Sequence, residues 1–562
     1  MMRTYKSPDG KKYTVDCEYI TDYIDLVLVD NIPHCVEQEQ MIYNNVLPVL
    51  CREDVYIDIP KIEKGLSLQK YFPFELFPWE TFCFALIAGV FYSDGTAFYK
   101  DIRIIIGRGN GKNGFISFLS FYFLSPYHGV RGYNIDILAN SEDQAKTSFD
   151  DLYELIKAPY DSKFAKVLNS NYSATKTEIK GKKTNSVLRF NSSSGKGKDS
   201  KRSGAVIFDE KHEYESYNNI STLRSGLGKV QNGRLITITT DGRTRGGVLD
   251  KEKIQNADIL KKYNPKNRTL VFYCHLENED EYLNPKLWVK ANPSVEYLPT
   301  LKAEIAEDIE SMPYNPEYYP TFMAKRMNYI VSDGDAEVAS WENILATNKE
   351  MIDLKGLPCV VGIDFAKTDD FVSALALFKK DGFYYAKVHG WVCRKSTDLR
   401  GIKAPLDEWE KRGLITFVND VEIPAELIVN WIKKIKSEHT IKKIGIDNFR
   451  FSFLNTVLKK IGFDAYEKKN IKLIRPSDIM KASVNVNSVF VNQKLIVGDN
   501  PYFRWNVNNA KRCIDARGNT FYGKIEPHYR KTDAFMALVN ALCLDEDLPE
   551  YKAPVVVPTF TF

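Results

Sequence analysis

Between two apolar runs the chain reads Gly107-Arg108-Gly109-Asn110-Gly111-Lys112-Asn113-Gly114. Glycines let backbone N–H groups turn toward an oxyanion, a following helix N-terminus adds positive potential, and a lysine here reaches β- and γ-phosphates. The spacing departs from the usual G-x-x-x-x-G-K-[ST]: its first glycine falls on Ile106, and Asn113 replaces the hydroxyl residue that normally holds Mg²⁺. A plain glycine-rich turn is the other reading. Further along, Gly204-Ala205-Val206-Ile207-Phe208-Asp209-Glu210 is an apolar run ending in two acids. Asp209 suits Mg²⁺ held through water, and Glu210 suits the orientation and deprotonation of water attacking a γ-phosphate. A solvated turn explains the same pattern. Leu235 to Asp241 puts the hydroxyls of Thr239 and Thr240 at a strand tip, where a γ-phosphate is sensed, or simply uses threonine for its β-propensity. Upstream, Trp79 and Glu80 offer adenine a flat ring and a polar side chain, unless Trp79 packs in a core.

A second set of acids lies beyond residue 340. Val360-Val361-Gly362-Ile363-Asp364 and Lys443-Ile444-Gly445-Ile446-Asp447 are apolar strands that each end in an acid, and Asp533 opens the helical run to Leu542. A carboxylate at such a place is costly to desolvate unless it is paired or metal-bound, although Asp533 is also a good helix cap. Three carboxylates from two strands and a helix suit two divalent ions ~3.5–4 Å apart, the arrangement that cleaves phosphodiesters. Oxygen-only ligands favour Mg²⁺ or Mn²⁺. Lys468, Lys469, Lys472, Arg475, Lys511, Arg512, Arg517, Arg530 and Lys531 supply a candidate surface for a nucleic-acid backbone, or a solvated face. No C-x-x-C or H-x-x-x-H pairing supports zinc, and the seven histidines read as surface or core residues.

These residues need scaffolds. Arg103–Ile106, Tyr133–Leu138, Ala205–Phe208 and Arg234–Thr239 are strand-like runs alternating with helical ones, which predicts an α/β layer around a mostly parallel sheet. A second α/β series starts at Pro358, after a polar stretch, Ser332 to Glu337, that reads as a linker. The expected organisation is an N-terminal segment 1–65, a domain 66–335, a linker 336–357, a domain 358–548 and a tail 549–562. Asn191 to Ser203 reads as a basic loop. The 562 residues carry 77 Lys plus Arg against 73 Asp plus Glu, so bulk-charge coating of nucleic acid is excluded and any polyanion must meet local patches. Nine scattered cysteines argue against a disulfide framework, and no run reaches the ~18 apolar residues of a bilayer span.

The order of these motifs resembles the large terminase subunit of tailed bacteriophages. The resemblance rests on Pro78-Trp79-Glu80, Arg108 to Asn113, Phe208-Asp209-Glu210-Lys211-His212, Trp288 to Pro293, Asp364 with Asp370, Ile446-Asp447, Trp505 to Ala510 and Lys531 to Ala534. It implies a P-loop additional-strand ATPase domain followed by a ribonuclease H-like nuclease domain. It also implies a motor that uses ATP and Mg²⁺ to drive double-stranded DNA into a procapsid, and that cuts the concatemer with two Mg²⁺ or Mn²⁺ ions. Under it Arg108, Gly109, Asn110, Gly111, Lys112 and Asn113 form the phosphate loop, Asp209 holds Mg²⁺, Glu210 is the base and Thr239-Thr240 the coupling motif. Asp364, Asp447 and Asp533 become the nuclease ligands, and Glu80 stands where the family often has glutamine. Implied partners are a portal protein, a small terminase subunit and copies of the chain in a ring, with a monomer in free solution compatible; no membrane is involved. The implied location is the host cytoplasm and, transiently, the procapsid portal, not the mature virion. A trans-acting arginine is expected among Arg224, Arg243 and Arg245. Two other readings stay open: a helicase-nuclease of repair or restriction, and a non-enzymatic capsid-associated DNA-binding protein with degenerate sites.

Overall fold

The computed structural model describes residues 2–551, apart from 140–141, 193–201, 215–225, 243–246, 316–317, 332–336, 366–370, 397–398, 400–401, 403, 421, 448–450, 515–519 and 526–529. Most of the expected basic loop, the linker core, Lys367 to Asp370, Arg517, most of the tail and all three candidate trans-acting arginines lie outside the described residues. The chain divides into two compact units, Met1–Val331 and Ser332–Phe562.

In the first unit eight strands form one sheet: β1 Asp101–Ile105, β2 Asn134–Ala139, β3 Tyr172–Ala174, β4 Glu178–Gly181, β5 Ser186–Ser192, β6 Ser203–Asp209, β7 Arg234–Thr239 and β8 Thr269–Tyr273. Their spatial order is β8-β1-β7-β6-β2-β5-β4-β3. The first six in that order run parallel, β4 is antiparallel to β5, and β3 is antiparallel to β4. Every residue of β1, β6 and β7 is buried, as the unbroken apolar runs require of a sheet covered on both faces. β7 lies between β1 and β6, and this inserted strand is the additional strand of the fold class. Helix α1, Pro78–Gly89, and helix α2, Lys112–Leu124, are apolar nearly all round and buried nearly all round.

Two expectations about boundaries are corrected. The N-terminal segment is no separate piece: Ile20, Ile24, Val27, Met41 and Ile62 are fully buried in the same core as α1 and α2. The expected linker 336–357 is folded into the second unit, where helix Trp341–Leu345 buries Ile344 and the strand that follows starts at Pro358.

The second unit is built on β9 Pro358–Asp364, β10 Phe371–Lys380, β11 Phe383–Cys393, β12 Ile415–Val418, β13 Thr440–Asp447 and β14 Ile471–Ile474, with the short β15 Leu495–Ile496 beside β11. The order is β12-β11-β10-β9-β13-β14, an antiparallel meander of β9, β10 and β11 extended on each side by parallel strands. This is the ribonuclease H-like layout. Among the described residues no helix is long and apolar enough to cross a membrane, and all nine cysteines are free thiols.

Candidate active sites

The first site forms where β1, β6 and β7 end together. Thr239 pairs with Ile105 and Asp209 with Ile238, so the phosphate loop, the two acids and the two threonines leave one edge of the sheet at the same level. Parallel sheets bind ligands at this carboxyl edge. Gly109 and Gly111 have φ of 95° and 90°, which L side chains rarely adopt, and the turn they make delivers Lys112 as the first residue of α2.

Residues far off in sequence hold this loop. Gly107 N–H donates to the Ala291 carbonyl at 2.9 Å and Arg108 N–H to the Lys325 carbonyl at 2.7 Å. The Asn110 amide donates to Asn292 Oδ1 at 2.7 Å, and its own Oδ1 accepts from Ser294 N–H at 3.0 Å. Asn292 also donates to the Arg326 carbonyl at 2.9 Å. The Trp288 to Pro293 motif is therefore a bracket for the phosphate loop.

Lys112 is buried, and its Nζ donates to the Gly107 carbonyl at 3.1 Å. Burial lowers its pKa, against the pull of Glu210 and Asp209. The two acids are driven apart in proton affinity. Burial and then the Glu210 charge push Asp209 up. For Glu210 burial acts upward, but the hydrogen bond to His212 and the charge of Lys112 outweigh it and hold the carboxyl below its usual range. His212 Nδ1 is 3.1 Å from Glu210 Oε2, and Thr240 Oγ1 donates to the same oxygen at 3.4 Å. His212 Nδ1 also lies 3.1 Å from Thr239 Oγ1, so both threonine hydroxyls reach the acid's immediate surroundings. Glu210 itself sits at φ 48°, a left-handed conformation that costs a non-glycine residue ~1–3 kcal/mol. Asp209 Oδ1 is buried and has no hydrogen-bond partner among the described residues. An orphaned buried carboxylate oxygen beside the phosphate loop fits a divalent ion or its water. Lys211, by contrast, turns beneath the sheet to pair with Glu252 Oε1 at 2.7 Å.

A cavity of about 680 Å³ opens over the loop, lined by Arg108, Lys112, Asn113 and Glu210 on one side and by Glu304, Tyr318, Lys325 and Arg326 on the other. A smaller one of about 200 Å³ brings Asn113 together with Asp209, His212 and Thr240. The far wall includes helix α3, Tyr319–Arg326. It was not foreseen, and no local signal in that polar segment marks it. One expectation is overturned: the Trp79 ring is fully buried against Phe115 and Phe272, with Nε1 donating to Ser294 Oγ at 2.8 Å. It packs the core beneath the bracket and offers adenine no surface. Glu80 is also buried, its Oε2 accepting Phe77 N–H at 2.9 Å and its Oε1 facing Gly111. Burial pushes its pKa well up, against the hydrogen bond from Phe77 N–H, so the site favours the protonated form.

The second site lies at the corresponding edge of the second sheet. β9 and β13 are parallel with Ile363 opposite Ile446, so the next residues, Asp364 and Asp447, end neighbouring strands side by side. Helix α5, Asp533–Leu542, lies across these strands at the two glycines: a Cβ on Gly362 would strike the Ala537 carbonyl, and one on Gly445 would come within 2.6 Å of the Asn540 carbonyl. Four helical residues from Ala537 back to Asp533 rise ~6 Å, and two strand residues from Gly362 to Asp364 rise ~6.6 Å. Asp533 and Asp364 both lie near enough to buried Tyr502 for their charges to act on it. Asn540 Nδ2 donates to the Ile363 carbonyl at 2.8 Å and fixes that register. Helix α4, Pro501–Asn508, seats the other end: Asn506 Oδ1 accepts Ala534 N–H at 3.1 Å, and Asn509 Nδ2 donates to the Lys531 carbonyl at 2.9 Å. Buried Tyr502 lies 2.5 Å from Ser373 Oγ, and its pKa is raised by burial and then by the charges of Asp533 and Asp364. The all-oxygen donor set fits hard divalent ions. The expected basic surface is corrected in part: Arg530 and Lys531 are buried, and Arg530 reaches Asn509 Oδ1 at 3.4 Å, so this pair packs the acid's support.

The first unit is thus a P-loop nucleotide hydrolase of the additional-strand class, and the second a ribonuclease H-like unit with acids at its sheet edge. Residues 78–256 match the family model described as terminase large subunit, ATPase domain, and residues 266–545 the model described as terminase large subunit, endonuclease domain. The chain belongs to the terminase large subunit family. It is a subunit of a viral DNA-packaging motor, with ATPase and endonuclease activities that use nucleotide and divalent metal. The second match begins just ahead of β8, a strand that pairs inside the first unit's sheet. The terminase large subunits of Lactococcus phages p2 and SK1 are 23% and 24% identical to it, each over 83% of this chain and 87% of theirs. The crystal structure of the HK97 bacteriophage large terminase aligns with TM-score 0.46 at 18% identity, covering 86% of this chain and 99% of that one.

Proposed function

We propose that the two acid sets divide the work by residue as follows. Lys112 leaves the Gly107 carbonyl to meet the β/γ-phosphates of ATP, and the N–H groups of Arg108 to Asn113 cradle them. Asp209 and Asn113 hold Mg²⁺, while Glu210, kept ionised by His212 and Lys112, orients the attacking water and takes its proton. Thr239 and Thr240, joined to Glu210 and His212, pass the change in phosphate contacts to β7. In the second unit Asp364, Asp447 and Asp533 hold two Mg²⁺ or Mn²⁺ ions against the phosphodiester. Bound at these sites, divalent ions place positive charge against developing oxyanions and, at the nuclease, lower the pKa of water. The motor acts on double-stranded DNA as a ring docked on a portal protein, with a small terminase subunit delivering the substrate, in the host cytoplasm.

The observation that carries this reading is the orphaned Asp209 oxygen beside the phosphate loop, in one unit, with Asp364 and Asp447 ending adjacent strands in the other. Glu210→Ala should cut DNA-stimulated ATP hydrolysis by ~10²–10⁴-fold, the worth of a general base, while plasmid cleavage in Mn²⁺ persists. Asp364→Ala and Asp447→Ala should do the reverse. Loss of both activities from either single change would refute the division.

A further inference from the structure

Away from both acid sets, the first unit gathers three chemically different donors at one point. Cys35 immediately precedes the short helix Val36–Gln40, Glu37 lies on that helix, and His275 follows the edge strand β8. One atom from each, a thiol sulfur, a carboxylate oxygen and an imidazole nitrogen, lies within 4.8 Å of the other two, the tightest such grouping among the described residues. The imidazole is held in one orientation. Its Nδ1 is 2.6 Å from the Leu276 carbonyl, which accepts that proton and leaves Nε2 turned to Glu37 Oε2, 2.7 Å away. A hydrogen bond from the far ring nitrogen to a backbone carbonyl is the support found behind metal-bound histidines, where it fixes the tautomer. Cys35 is held too, its N–H donating to Gln38 Oε1 at 3.2 Å while the Gln38 amide donates to Tyr23 Oη at 2.8 Å. Cys35 is fully buried, whereas the His275 and Glu37 side chains are 16% and 22% exposed, so water reaches one side of the group.

We propose that Cys35, Glu37 and His275 form a zinc site, completed by water, that fastens the N-terminal layer to the edge of the ATPase sheet. A thiolate, imidazole and carboxylate set suits four-coordinate Zn²⁺ and rejects Mg²⁺, which takes oxygen ligands. Bonds of ~2.0–2.3 Å about a tetrahedral centre put the donors ~3.3–3.6 Å apart, so Glu37 and His275 separate slightly as the ion enters, while the thiol proton now given to the Tyr273 carbonyl and the Nε2 proton now given to Glu37 both leave to solvent. Glu37 and His275 are 238 residues apart, so no linear motif records the site. It is distinct from the two oxygen-ligand sites, and its test is independent of them.

The full chain, stripped with chelator and then dialysed with trace Zn²⁺ in excess Mg²⁺ to fill oxygen-only sites, should retain about one equivalent of zinc. Co²⁺ in place of Zn²⁺ should give tetrahedral d–d bands and a thiolate-to-cobalt charge-transfer band. Cys35→Ser and His275→Ala should each remove the retained zinc, and Cys35→Ser should abolish the charge-transfer band. The cobalt spectrum of the wild-type chain decides the matter even if a variant fails to fold. Absence of the thiolate band from the wild type, or its persistence in Cys35→Ser, would overturn the proposal and leave a Glu37–His275 ion pair beside a bystander thiol.

Discussion

Glu80 shows how much one side chain's surroundings alter its chemistry. Burial raises its folded pKa, so the core holds the proton to higher pH than an unfolded chain's glutamate, which ionises above ~4.3. The stability tied to that proton is complete below the unfolded value and is lost as pH climbs toward the folded one. Glu80→Gln keeps the oxygen that accepts Phe77 N–H and has no proton to lose. The first unit's melting temperature should therefore fall less between pH 5 and pH 8 in the variant, as read by calorimetry at both values. Equal pH slopes in the two proteins would contradict the assignment. With Trp79 withdrawn into the core, Tyr318 is the ring that remains on the cavity wall. Tyr318→Ala should raise the KM for ATP several-fold, by ~1 kcal/mol of lost ring contact, with little change in kcat; an unchanged KM would remove Tyr318 from the site. The acids and Lys112 could be found in the sequence because each follows an apolar run that fixes where a strand ends. Tyr318, Lys325 and Arg326 could not, since they reach the cavity only through tertiary packing. For Trp79 the sequence leaves a core ring and an adenine platform both open, because aromatic chemistry looks alike in a core and in a cleft.

Elements matter here chiefly through how closely they approach. α5, which opens with Asp533, can lie this close to the strands that end in Asp364 and Asp447 only because Gly362 and Gly445 present no Cβ to it. Gly362→Ala should cost ~1–3 kcal/mol as overpacking and reduce plasmid cleavage sharply while leaving ATP hydrolysis intact. Asn506→Ala leaves the buried Ala534 N–H without its acceptor, a penalty of ~1–3 kcal/mol, and should lower cleavage in the same way; full cleavage by both variants would show that the placement of α5 is not what sets the site. The central strands were readable as apolar runs, and Arg234–Thr239 is found at the bounds read from sequence. β3, β4 and β5, toward one side of the sheet, carry no unbroken apolar run to mark them, and their pairing is decided by the sheet they join.

At the scale of the whole molecule, the boundary falls between Val331 and Ser332, and each unit has its own core and its own candidate acids. Residues 332–562 made alone should cut plasmid in Mn²⁺ without hydrolysing ATP, whereas a fragment lacking residues 332–357 should be unstable because Val338 and Ile344 leave its core. Equal stability of the two fragments, measured by urea titration, would contradict that view of the segment. Its role was hidden because polar residues beside a short apolar stretch look the same whether they dangle or dock. The cleft over the phosphate loop has two unequal banks. One, the phosphate loop, continues into a helix submerged in the core; the other, whose Lys325 carbonyl accepts Arg108 N–H, also carries ion pairs from Arg326 to Glu304 and Asp308, acids partly open to water. Salt screens ion pairs that are open to water, so the turnover rate of the motor should respond to ionic strength through Glu304 and Asp308.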